Sequence, residues 1–92
     1  MSDVIVQEAI RDYLTGNPRM EYAAMQDAQF RASLTGLREA LELVDDALAV
    51  EEAPEEMRRR VAARAVAAGL ERARVQHSRE LLERLGIATI HP

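Results

Sequence analysis

Apolar residues recur at helical spacing along almost the whole chain. In the first segment Val6, Ile10, Tyr13 and Leu14 fall on one side of a helix. Ser2 can cap its first turn through the hydroxyl, and Asp3 places negative charge at the positive end of the helix dipole. These residues predict a helix over about 3–15. Thr15-Gly16-Asn17-Pro18 should end it. Glycine tolerates the left-handed conformation beyond a helix, asparagine caps the next one, and proline suits the first position, where no N–H is needed.

From Pro18 to Val50 no further proline interrupts the pattern, which predicts one long helix over about 18–50. Phe30, Leu34, Leu37, Leu41, Val44 and Leu48 step by fours and threes, as in a coiled-coil seam. A second stripe takes the same steps through Ser33, Gly36, Ala40, Leu43, Ala47 and Val50. At ~100° per residue the two stripes lie roughly 110° apart. Arg31, Arg38, Glu39, Glu42, Asp45 and Asp46 fill the remaining arc. A helix apolar over so wide an arc needs two packing partners.

Pro54 opens a third helix, predicted over about 54–85, with Gly86 as its stop. Ile87 should fold back on the last turn, and the tail over 87–92 reads as extended. One stripe of this helix is Ala63, Val66, Leu70, Ala73, His77 and Leu81. Another, nearly opposite, is Met57, Val61, Ala65, Ala68, Val75 and Leu82, with Arg72 and Arg79 inside it. No segment alternates as a strand would. The expected fold is all-α, a single domain over 1–92: a short N-terminal helix and a long antiparallel helical hairpin, together a three-helix bundle.

Charge supports the hairpin. Residues 17–52 hold eight acids and three arginines, whereas residues 57–86 hold three acids and eight arginines. A turn near Ala53 sets Asp46 level with Arg60, Glu42 with Arg64, Asp27 with Arg79, and Gly36 with Gly69 and Leu70. Exposed pairs contribute only ~0.2–1 kcal/mol each, so such charges select register more than they stabilise.

Composition narrows the function classes. The chain has 92 residues and a formal net charge of −4, with 48% hydrophobic and 30% charged residues, a globular balance. It has no cysteine, so disulfides and thiol chemistry are excluded. His77 and His91 are too few to suggest a transition-metal centre, and no cofactor is implied. No apolar run reaches the ~20 residues of a membrane span, and the N-terminus lacks a signal-peptide pattern, so a cytoplasmic location is expected. All twelve basic residues are arginine, as a GC-rich bacterial or phage genome would favour.

Three readings remain. The second apolar face of the third helix (Met57, Val61, Ala65, Ala68, Val75 and Leu82) exceeds what a short first helix can cover. It marks a non-enzymatic protein–protein interaction module, expected to be a homodimer forming a larger helical bundle, with a heterologous protein partner possible. The second reading uses Arg58, Arg59, Arg60 and Arg64 as an anion site in a nucleic-acid-associated regulator. The acidic balance and the neighbouring Glu55 and Glu56 disfavour it. In the third, Arg72 and His77 form an Arg-x4-His spacing. This resembles the Arg-x4–6-His motif of HEPN ribonucleases, which are α-helical and dimeric. The resemblance spans six residues and implies a small ribonuclease using Arg72 and His77.

Overall fold

A computed structural model of the chain describes residues 3–86. They form four helices: α1 (Asp3–Thr15), α2 (Pro18–Gln26), α3 (Ala28–Val50) and α4 (Glu55–Arg84). The expected cap at Ser2 and the fold-back of Ile87 lie outside the described residues.

The expected helix over 18–50 is two helices, so the bundle has four elements rather than three. The break is at Asp27, whose backbone is extended, with φ −116° and ψ 114°. Its carboxylate accepts a hydrogen bond from the Phe30 N–H at 2.8 Å, which starts α3. Its own N–H donates to the Ala23 carbonyl at 2.8 Å and closes α2. Arg31 then reaches back from α3 and donates to the Ala24 and Met25 carbonyls, at 3.3 and 2.9 Å. These are carbonyls that the end of α2 leaves without helical partners. One acid and one arginine thus do what a glycine or proline would signal more plainly.

The α1–α2 link also differs from expectation. Asn17 makes no side-chain cap on α2; its amide donates instead to the Tyr13 carbonyl at 2.7 Å and closes α1. Gly16 does not use the left-handed region: among the described glycines the positive φ belongs to Gly86, at 74°, where α4 stops. The other left-handed residue is Glu52, with φ 59° in the α3–α4 turn. There the Ala53 N–H bonds the Leu48 carbonyl and the Glu52 N–H bonds the Ala49 carbonyl, both at 3.0 Å. This is the paired hydrogen bonding of a Schellman motif, with a glutamate where glycine is usual.

α3 and α4 form the antiparallel hairpin. The register is fixed at three levels, each within about a turn of expectation. Near the turn Arg58 holds Asp45. Midway, Leu37 lies over Gly69. At the open end His77 Nε2 is 3.4 Å from the Asp27 carboxylate. α1 runs along one face of the hairpin, with Glu8 bound to Arg59 and with Ile5, Ala9 and Tyr13 around Ala63. Val6, Ile10, Met20, Phe30, Leu41, Val66 and Leu70 form the core, and Val6, Val66 and Leu70 are fully buried.

Candidate interaction face

α1 covers one face of the hairpin and leaves the other open. On α3, Arg38 borders α1 together with Gln7, Ile10, Arg11 and Leu14. At ~100° per residue Leu43 and Ala40 point well over 100° away from Arg38. On α4, Arg59 and Ala63 border α1, and Val61 and Ala65 are turned from them by a similar angle. Between the two helices, Val44 and Val61 line one narrow crevice above Leu41, Leu48 and Ala62. The second stripes of α3 and α4 are therefore the two halves of one surface.

That surface is apolar and exposed. On α3, Leu43 is 72% and Val50 79% exposed, with Gly36, Ala40 and Ala47 also exposed. Ser33 is exposed as well, so no residue of the second α3 stripe is buried. On α4 the expected interaction residues are placed as follows. Met57, Val75 and Leu82 are 41%, 46% and 42% exposed; Ala68 is exposed; Val61 and Ala65 are half-buried beside α3. Ala65 packs against the edge of the core. Val44, expected in the buried seam, is 45% exposed and joins this face. Reading α4 alone found half of the surface. The other half was visible as the second stripe of α3, but only the position of α1 shows that none of the described residues covers it.

The four arginines proposed as an anion site are divided by the fold. Arg58 lies with its side chain 14% exposed, and the Asp45 carboxylate opposite it is 4% exposed. Its Nε and Nη2 donate to the two Asp45 carboxylate oxygens at 3.0 and 2.8 Å, so the fork that would grip a phosphate is occupied. Donating to the Asp45 carboxylate raises the Arg58 pKa above its ordinary value, although burial opposes this. Arg59 binds Glu8 and Glu55 and tethers α1 to α4. It draws the Glu8 carboxyl below the usual carboxylate range. Arg60 stands 3.7 Å from Glu56 on the surface. Arg64 is exposed and enters no ion pair within the described residues.

Arg72 and His77 are not brought together. Arg72 is exposed, within the open face of α4. His77 is half-buried and turned to the start of α3, where its Nδ1 is buried without a hydrogen-bond partner. The Phe30 N–H is the main reason the Asp27 carboxyl titrates below its usual range, with His77 a smaller contributor. Among the described residues, no group of three or more histidines, cysteines or acids is placed to hold a metal ion. No helix among them is long and apolar enough to cross a membrane. The chain matches no protein-family model, no curated protein and no solved structure.

Proposed function

We propose that this protein is a non-enzymatic, all-α protein–protein interaction module that works through the open face of its α3–α4 hairpin. The observation behind this reading is the continuity of that face. Leu43, Val44 and Ala47 of α3 and Met57, Val61 and Ala68 of α4 lie on one side of the hairpin, apolar and accessible. Contiguous apolar surface rimmed by charge is the usual mark of a protein contact. The α1 face of the same hairpin illustrates the packing that such a surface accepts, with Val6 and Ile10 buried there. Leu43→Glu and Ala68→Glu test the reading, because both residues are exposed on the open face. Both variants should keep native far-UV circular dichroism and lose association with any protein that the parent chain binds. Retained association in both would exclude this face as the working surface.

A nucleic-acid-associated regulator is the second reading, favoured by the exposure of Arg60 and Arg64 on α4. It requires a duplex-DNA mobility shift that weakens steeply with salt. No shift at low salt removes it.

A further inference from the structure

We infer that the occupant of the open face is a second copy of this chain, docked with its two-fold axis parallel to the hairpin, so that α3 of each copy packs on α4 of the other. The inference rests on the interaction-module reading and assigns its partner.

Charge at the two rims of the face selects this arrangement. The outer rim on α3 carries Glu39 and Asp46. On α4, Arg64 lies at the outer rim and Arg72 and Arg79 lie within the face itself. Arg64, Arg72, Arg79 and Glu39 make no ion pair within the described residues. The face is therefore acidic along its α3 edge and net basic along α4, where Glu71 on the Arg64 rim is bound by Arg74 and Glu83 alone opposes Arg64, Arg72 and Arg79. Two face-to-face hairpins can be related by a two-fold axis along the helices or by one across them. The crosswise axis sets α3 on α3 and α4 on α4, acid against acid and arginine against arginine. The lengthwise axis sets every acidic edge on a basic one. Like charges across an interface are penalised, so the lengthwise axis is preferred.

Side-chain size agrees with that choice. A lengthwise axis leaves heights along the helices unchanged, so residues level within one hairpin are level between two. The register seen at Asp45–Arg58, Leu37–Gly69 and Asp27–His77 then carries across. Leu43 meets Val61 of the second copy, Ala47 meets its Met57, and Gly36 meets its Ala68. Large residues oppose smaller ones, or two small ones allow close approach, as helices need to interdigitate. Glu39 falls level with Arg64 of the second copy. The result is an antiparallel four-helix core with α1 on each outer face.

The chain has no cysteine, which makes cross-linking clean. Leu43→Cys and Val61→Cys single variants, mixed and oxidised, should give the mixed disulfide in preference to either symmetric one. Light scattering of the parent chain at tens of micromolar should give twice the 10.3 kDa chain mass. Glu39→Arg should weaken the dimer by about two- to five-fold, as for exposed ion pairs, and adding Arg64→Glu in the same chain should restore it. In the crosswise arrangement α3 faces α3, so adding Arg64→Glu would not restore a dimer altered by Glu39→Arg. Preferential Leu43→Cys self-cross-linking, strengthening by Glu39→Arg, or no restoration by Arg64→Glu overturns the geometry. A strict monomer that binds another protein through Leu43 and Ala68 overturns the second copy as occupant but leaves the interaction module standing. A strict monomer with no partner dependent on this face overturns both.

Discussion

The Leu37 side chain of α3 lies against Gly69 of α4, and replacing the glycine by alanine tests the hairpin packing. A Cβ built there would lie 2.6 and 2.8 Å from the two methyl carbons of Leu37 and 3.3 Å from its Cγ. Such contacts force Leu37 out of place. Two effects then oppose each other. Alanine in a helix interior is favoured over glycine by about 1 kcal/mol. Overpacking a fitted contact costs about 1–3 kcal/mol. Leu37 is only half-buried and its methyls are the mobile end of the side chain, which puts the cost in the lower part of that range. Gly69→Ala should therefore lower stability by about 0–1 kcal/mol. In a Leu37→Ala background the obstacle is gone, and the same change should raise stability by about 1 kcal/mol. The change from no gain or a small loss to a clear gain is the signature, with a coupling of about 1–2 kcal/mol in the double-mutant cycle. Urea denaturation of the four chains measures it, at one fixed protomer concentration so that self-association does not distort the comparison. In a domain of this size each kcal/mol moves Tm by about 4–8 °C. Equal stabilisation by Gly69→Ala in both backgrounds would refute the contact and with it the register of the hairpin.

Leu70→Ala should cost about 2–5 kcal/mol in denaturant titration, because Leu70 is fully buried in the core. Leu43→Ala, in dilute monomer, should shift stability by no more than about 0.5 kcal/mol. Glu52→Gly should raise Tm, by about 0.5–1 kcal/mol of stability, since glycine tolerates the left-handed backbone that glutamate holds at φ 59°. Arg58→Lys should lower Tm, because an ammonium cannot make both contacts to Asp45; a Tm equal to that of the parent would show that the bidentate geometry contributes nothing. Acid should destabilise the fold. Glu8 and Asp27 titrate below their usual ranges when folded, so below about pH 4 the unfolded chain binds more protons and stability falls with pH. Asp27→Ser, which keeps a cap but not the charge, should flatten the Tm–pH curve in that range; an unchanged slope would remove Asp27 from the account.

Helix type and most of the buried positions were legible in the pattern of residues. Val6 and Ile10 in the first segment, Phe30 and Leu41 in the third element, and Val66 and Leu70 in the last all lie on predicted stripes and all are buried. Helical period is a local property, and a stripe of apolar residues has one cheap solution in water. The opposed charges of the two long segments likewise pointed to an antiparallel hairpin, and Asp45–Arg58 lies within about a turn of the pairing they implied.

Three features were decided only by tertiary structure. The break at Asp27 depends on an arginine from the next helix and on Phe30 entering the core, neither of which a one-helix pattern signals. That the arginines after the turn pair with acids of α3 was legible in the charges; that Arg58 grips both oxygens of Asp45, with little of either side chain exposed, was set by the turn geometry. The open face is the third. Two apolar stripes on each long helix were plain from the residues, but a stripe does not say which element will cover it. That depends on where α1 comes to rest, and α1 can rest on only one side of the hairpin. The side it leaves uncovered is where function is proposed to lie.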